Sequence, residues 1–470
     1  MTYGRSARKK YAGMLLAVLL TVGVYGSNGE AAELSLSLQE SLDRAGEVSH
    51  ALAGAEAGTR AARSQLSSSR RAAGPTLRWS STNYSIGGRD YANTNEDARY
   101  SNSVEVSVPL YTGGRIENNI KRYRYEVNAA DLALERQRQV LRYEVTGAYF
   151  DYWTRMYLKD VYQEAVDISD AQLRMLNVQF DEGTISRSEI LRADVQRVTN
   201  EQSLVAAMGD VEESKQTLLS LLALPADTEV NLTDDLTYVP YEIQLEECEE
   251  YAMTHRPDVA AAQYEYFGGM ATKEMAKNSY RPAVEAVAAK SIVGEEPFKQ
   301  DKSEAWQAGL RLEWSLFDNG VTTATVSAAD QSAKQLAETL EETKRNARLD
   351  VQKAYAQMRA EEEGIAILEK AVQMAKKSYE LIEVRYREGV DTVFDLLDSQ
   401  KKLTETRTSY YLALYRYKYR RAQLEQAMGV PVKIDTAAYV AAEQAGSSPD
   451  DACRKADIHG EKYAEKQEKP

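Results

Sequence analysis

Tyr386-Arg387-Glu388-Gly389-Val390-Asp391-Thr392-Val393-Phe394-Asp395-Leu396-Leu397-Asp398 joins two long runs of helix-forming residues and turns one into the other at Gly389. Just past the turn, Asp395 and Asp398 stand three residues apart, so both carboxylates leave one helical face. A near-copy lies upstream at Phe180–Arg192, with Glu182-Gly183 in the place of Glu388-Gly389. The two stretches read as the tips of helical hairpins. The rest of the chain reads as the wall and the membrane anchor of a tube built from them.

Working outward, an offset of 206 lays Val108–Pro225 on Trp314–Pro431 without a gap. It matches Leu110 with Leu316, Gly114 with Gly320, Val145 with Val351, Ala148-Tyr149 with Ala354-Tyr355, and Leu191 with Leu397. Upstream the offset becomes 207, pairing Leu38 with Leu245, Ala45 with Ala252 and Pro75 with Pro282. Self-similarity at a fixed offset marks a duplicated unit. Each unit is expected to run helix, strand, loop, strand, long helix, tight turn, helix. The first helix is expected at about Gln39–Arg71, and in the second copy at about Pro257–Asn278.

Proline spacing delimits the long helices. None occurs between Pro109 and Pro225 or between Pro297 and Pro431, and both intervals are rich in strong helix formers. A helix from Arg115 to Glu182 would run about 100 Å at 1.5 Å per residue and must pack laterally over its whole length. The apolar set Val140, Leu141, Val145, Ala148, Tyr149, Tyr152 and Trp153 repeats at helical spacing, as do Val351, Ala354, Tyr355 and Met358. Tyr410, Tyr411, Tyr415, Tyr417 and Tyr419 are expected to pack between neighbouring helices.

Each unit also carries strands. Val104, Val106, Val108 and Leu110 alternate with Ser103, Glu105, Ser107 and Pro109. In the second copy, Trp306, Ala308, Leu310, Leu312, Trp314 and Leu316 alternate with Gln307, Gly309, Arg311, Glu313 and Ser315. A period of two gives one apolar and one polar face. The length suits a tilted transmembrane strand, and Trp306 and Trp314 bracket the apolar stripe as interface aromatics would. A half-buried strand of a soluble sandwich is the alternative. Polar loops are expected at Gly87–Arg99 and Gly294–Lys302.

Composition narrows the function. The 470 residues hold 72 Asp and Glu against 58 Lys and Arg, a net charge of −14, which argues against nucleic acid as a partner. Two cysteines, Cys248 and Cys453, and three histidines offer no disulfide framework and no metal site. No phosphate loop and no catalytic grouping is present, so neither an enzyme nor a cofactor is expected. Arg5, Arg8, Lys9 and Lys10 precede an apolar run from about Ala12 to Val24 and then Gly29-Glu30-Ala31. That is the pattern of a secretory signal peptide over residues 1–31, with no cysteine after it for lipid attachment. The expected division is then 32–225 for the first repeat, 226–242 for a connector, 243–433 for the second repeat and 434–470 for a polar, partly disordered tail.

No stretch after the signal is apolar for 18 residues, so membrane entry would be by strands. Four strands cannot close a barrel, and an open edge in lipid leaves backbone groups unsatisfied. Two, three or four chains would give 8, 12 or 16 strands. A periplasmic coiled-coil scaffold and a passive outer-membrane porin or adhesin are the rival readings.

The doubled unit, the Glu-Gly tips, Arg256-Pro257-Asp258, and Val-Pro-Leu-Tyr-Thr-Gly-Gly beside Trp-Ser-Leu-Phe-Asp-Asn-Gly resemble the TolC-type outer-membrane efflux protein family over about Leu34–Lys433. The resemblance implies a homotrimer in the outer membrane, with a 12-stranded β-barrel in lipid and a long α-helical barrel in the periplasm. It implies docking of a periplasmic adaptor at the tips, around Glu182, Gly183, Glu388 and Gly389. It also implies an inner-membrane pump of the resistance-nodulation-division or ABC type. Asp395 and Asp398 fall where the family carries the paired aspartates of its periplasmic constriction. An acidic ring there would select against anions and bind multivalent cations; a solvated helix face is the simpler account. Gln172, Glu189 and Tyr386 match the family's gate-bonding positions. Asp391 departs from the arginine expected there, with Arg187 or Arg387 as candidate replacements. At Gly183 and Gly389 a helix C-cap with φ above zero is compatible with docking.

Overall fold

A computed structural model describes residues 34–85, 98–294 and 303–445. The expected signal peptide, most of the two polar loops, Cys453 and the end of the tail lie outside the described residues. The elements are β1 (Leu34–Leu36), α1 (Leu38–Val48), α2 (His50–Arg71), β2 (Thr76–Ser85), β3 (Ala98–Tyr111), α3 (Arg115–Asp181), α4 (Arg187–Leu221), β4 (Val230–Leu232), α5 (Leu245–His255), α6 (Pro257–Lys277), β5 (Ala283–Gly294), β6 (Ser303–Glu313), α7 (Val321–Arg387), α8 (Val393–Met428) and α9 (Thr436–Gln444).

Helices α3 and α7 each run 67 residues, about 100 Å. Both start from a left-handed glycine, Gly114 at φ +95° and Gly320 at φ +86°. Near the strands the helices lie in the order α2, α3, α6, α7; toward the tips the order is α4, α3, α8, α7. α3 and α7 therefore run the whole height, and the shorter helices fill each half beside them.

The helix expected at Gln39–Arg71 is broken. α1 stops at Val48, and Ser49 is extended (φ −65°, ψ 114°) while its hydroxyl accepts from Leu52 N–H to cap α2. In the second half, α5 precedes the expected helix, and Arg256 takes nearly the same conformation (φ −71°, ψ 119°). There the cause is Pro257, which drives the preceding residue out of the helical region.

The four long strands form one antiparallel sheet in the order β2-β3-β5-β6, with β2 and β6 at its free edges. The register sets Trp79 beside Val104, Val104 beside Lys290, and Lys290 beside Trp306. The neighbouring row holds Leu77, Val106, Ala288 and Ala308 on the same face. Leu77, Trp79, Trp306, Leu310 and Leu312 are all more than half exposed. The opposite face carries Arg78, Glu105, Glu285 and Arg311, and Arg311 Nη1 donates to Glu285 Oε1 at 2.5 Å. Lys290 stands at the rim of the apolar face and pairs with Glu304. β6 ends at Glu313, shorter than the alternation suggests. Trp314 and Leu316 follow it in an irregular segment, where the Trp314 indole N–H donates to the Tyr280 carbonyl at 3.1 Å. Trp314 is thus tied to the foot of β5 instead of standing in β6. Among the described residues no helix is long and apolar enough to cross a membrane.

Between sheet and tips, β1 and β4 pair in parallel over a core of Val145, Tyr149, Trp153, Leu218, Val351, Ala354, Met358, Leu414 and Tyr417. Tyr417 is fully buried and its hydroxyl donates to the Val239 carbonyl, while Tyr419 lies against Tyr143, so the tyrosines serve packing. The chain after Lys433 is not all tail. α9 docks on α3 through Tyr439, which is 2% exposed and within hydrogen-bond distance of Asn128 and Asp131. Asp435 caps it, accepting from Ala437 and Ala438 N–H.

Candidate functional site

The two hairpin turns, Glu182–Ser186 and Glu388–Thr392, are built alike. Thr184 N–H reaches the Gln179 carbonyl and Gly183 N–H that of Phe180; Val390 N–H reaches Arg385 and Gly389 N–H reaches Tyr386. This paired bonding closes a helix on a left-handed residue, and Gly183 (φ +76°) and Gly389 (φ +74°) supply it without the penalty of a Cβ. Glu182 and Glu388 are the helix caps immediately before them.

The next helices start on capping boxes. Ser186 N–H donates to Glu189 Oε2 at 2.9 Å, and Thr392 N–H and Oγ1 donate to Asp395 Oδ2 at 3.0 and 2.6 Å. Asp395 therefore has a structural partner of its own. The hydrogen bond from the Thr392 hydroxyl holds its carboxyl below the usual range, so it is charged at neutral pH. Asp395 and Asp398 are both exposed, on the side of α8 away from the buried Leu396, Leu397, Ser399 and Gln400.

The four residues matched to gate positions do not bond one another within the chain. The Tyr386 hydroxyl donates to Gln179 Oε1 at 2.5 Å. Burial raises its pKa, and the nearby Glu189 charge adds to the rise. Asp391 is held in a fork by Arg385, Nε to Oδ2 at 2.8 Å and Nη2 to Oδ1 at 2.9 Å. Of the two candidate replacements for the absent arginine, Arg387 pairs with Glu383 one turn back. Gln172 is 6% exposed and its amide faces the Tyr379 hydroxyl.

The tips are joined by contacts that sequence patterns did not reveal. Leu176, Ala193, Tyr386, Val393, Leu396 and Leu397 form a small core linking α3, α4, α7 and α8. The Arg192 guanidinium lies 5.6 Å from the Phe394 ring centroid. Higher up, Gln400 and Asn200 both donate to Ser169 Oγ and the Ala165 carbonyl, locking α8 and α4 to α3. Among the described residues no group of three or more His, Cys, Asp or Glu is placed to hold a metal ion.

The chain matches the family model described as outer membrane efflux protein over residues 41–224 and 250–430. It is 21% identical over 308 residues to the outer membrane efflux protein BepC of Brucella suis, covering 64% of this chain and 65% of that one. It is 22% identical over 288 residues to nodulation protein T of Rhizobium leguminosarum bv. trifolii, covering 57% and 60%. The chain thus spans less than two thirds of either relative. The crystal structure of the Campylobacter jejuni CmeC outer membrane channel is similar at 15% identity with a TM-score of 0.74, covering 87% of this chain and 90% of that one. With the family model spanning both hairpins and the strands between them, the chain belongs to the outer membrane efflux protein family, whose members are transport channels and not enzymes.

Proposed function

We propose that the protein is the outer-membrane exit duct of a tripartite efflux or secretion system. Three copies would close the four-stranded sheets into a 12-stranded barrel and the helices into a periplasmic tube. The tube is gated at the hairpin tips and receives substrate from an inner-membrane pump through a periplasmic adaptor. The observation that carries this reading is the sheet: one apolar exposed face, one polar face, two free edges, and helices of about 100 Å running from one end. A face like that is stable against lipid, and open edges there require closure.

On this reading Asp395 and Asp398 line the constriction as a ring of six carboxylates. Gln172, Glu189, Tyr386 and Asp391 lie at the gate, and Glu182, Gly183, Glu388 and Gly389 present the turns to the adaptor. Trp306 sits at one rim of the lipid-facing band and Trp314 at the other. The Arg385 fork on Asp391 is internal to one hairpin, which supports a closed state held by packing more than by a charge bond from that aspartate.

The test is single-channel conductance of the purified protein in a planar bilayer, with and without a trivalent cation on the helical side. A small cation-selective conductance blocked from that side is expected. Protein that is soluble without detergent and forms no channel would return a periplasmic scaffold; an open pore indifferent to the cation would return a passive porin.

A further inference from the structure

In the tip half α4 and α8 flank α3, and they meet over it at one level. Asn200 of α4 and Gln400 of α8 both donate to the Ala165 carbonyl and to Ser169 Oγ, at 2.8 to 3.3 Å. One heptad further from the tips the three helices leave a cavity of about 260 Å³, floored by Leu158 of α3 and walled by Ala207 of α4 and Leu412 of α8. Its far end is closed by an ion pair from α3 to α4, Arg155 Nη1 to Asp210 Oδ2 at 2.7 Å. The space is several times the roughly 30 Å³ that one water takes in the liquid, and it approaches the size of small-molecule sites.

The cavity offers one polar group without a partner. Thr404 and Thr406 of α8 return their hydroxyls to the carbonyls of Gln400 and Lys402, four residues back. The Thr408 hydroxyl lines the cavity instead, shielded from solvent, and has no hydrogen-bond partner among the described residues. Shielded polar groups ordinarily have one. The charges at the rim, by contrast, satisfy one another, because Arg155 also donates to Asp151 at 3.3 Å. What is left for a ligand is an apolar floor and wall with a single hydroxyl that can donate or accept.

The side on which the cavity opens follows from heptad positions, since residues two heptads apart share a side of a helix packed at that spacing. Ser203, also on the α4 wall, lies fourteen residues above Glu189, and Leu412 lies fourteen above Asp398. Leu158 stands in the same relation to Gln172 on α3. All three helices thus turn to the cavity the side that carries the proposed gate and constriction residues, about 20 Å nearer the sheet.

We propose that this cavity binds a small uncharged amphiphile, an aromatic or alicyclic body carrying one hydroxyl, carbonyl or amide group, in the lumen wall of the duct. The body lies on Leu158, Ala207 and Leu412, and its polar group pairs with the Thr408 hydroxyl. An ion is disfavoured because the only charged pair at the rim is already complete. The binding chemistry stands on the single chain; the lumenal placement rests on the tube proposed above.

The test of binding is equilibrium dialysis of the purified full-length protein against 2-naphthol, with the same detergent on both sides. Saturable binding of one molecule per chain is expected. Ala206→Trp, at an exposed position of the α4 wall, should fill the cavity and abolish it. Thr408→Val keeps the shape and removes the hydroxyl, so it should weaken binding about tenfold, the loss of one hydrogen bond. The anion 2-naphthoate, with a similar ring system, should bind more weakly than 2-naphthol. The test of placement is labelling of Ala206→Cys in intact cells by a maleimide on a polymer chain too large for ordinary porins, which reaches the lumen only through the outer mouth of the duct. The parent, with Cys248 and Cys453 alone, is the blank. No saturable binding, binding untouched by both variants, or equal binding of 2-naphthoate overturns the site and leaves the tube standing. Labelling that appears only in broken cells puts the cavity on the outer wall and overturns its lumenal role. A protein that forms no channel overturns the tube and the placement with it, and the dialysis result then still decides the site.

Discussion

Replacing Arg256 by alanine should destabilise the protein by about 3–5 kcal/mol, the cost of removing one partner from a buried charge pair. Arg256 is 4% exposed and binds three helices at once. Its Nε and Nη2 donate to Asp258 at 2.9 and 2.6 Å, at the start of α6. Its Nη1 donates to Asp350 and the Ala347 carbonyl on α7, and to the Ala427 carbonyl at the end of α8. Gly429 at φ +77° lets the chain pass so close that a Cβ there would stand 2.7 Å from Arg256 Cα, so no side chain is available to fill the space left. Two facts keep the estimate from rising further. Asp258 is 30% exposed and regains some water, and Arg136 is a second cation near it. The assay is thermal loss of helical circular dichroism in detergent, parent and variant scanned at one rate because unfolding of such a protein is a rate process. A fall on the order of 5 °C or more is expected for Arg256→Ala, and a smaller one for Arg256→Lys, which keeps the charge without the fork. A variant melting with the parent would refute the idea that this clasp holds the three helices together.

The same pair predicts an acid limit. Burial alone would raise the Asp258 carboxyl, but hydrogen bonds from Arg256 outweigh it and hold the group below the ordinary carboxylate range. Its contribution is thus complete above the unfolded value near 4 and is lost as pH falls through the lower folded value; Arg256→Ala should flatten the stability profile there. Asp395→Ala with Asp398→Ala should raise conductance and weaken divalent block about tenfold, and unchanged block would remove the pair from the constriction. Gly389→Val places a branched side chain at φ +74°, costing about 1–2 kcal/mol locally; faster amide exchange at the tip with an unchanged melt is expected, and identical exchange would contradict it. Tyr439→Ala removes the 2%-exposed anchor of α9 at a cost of about 3–5 kcal/mol, so limited proteolysis should cut after Lys433 where the parent resists.

The sequence revealed what periodicity and proline placement encode. Long proline-free runs rich in helix formers became α3 and α7, and alternation over Val104–Leu110 became the two faces of β3. What stayed hidden depends on contacts between distant residues. Ser49 breaks the first helix by a cap that no proline announces, although its offset of 207 from Arg256 was available as a signal. The composition of α9 is plain and resembles the tail that follows it; Tyr439 orders it by reaching Asn128 and Asp131 some three hundred residues away. β6 stops early because Trp314 bonds across to Tyr280, a contact that alternation cannot encode.

The same distinction explains the tip. Arg385 and Asp391 are six residues apart with a left-handed glycine between them, a separation with no meaning in a continuous helix. The turn folds the chain back so that Asp391 meets the residue whose carbonyl already accepts the Val390 N–H. A guanidinium fork on that carboxylate makes the turn itself rigid and occupies the charge at the position where the family resemblance called for arginine. Asp398, one helical turn further on, is exposed without such a fork, and Asp395 gives one oxygen to its own cap. In the proposed tube, the paired aspartates are then the carboxylates of this helix that would face the axis. A change at Asp391 should alter the turn, and a change at Asp398 should alter the ions.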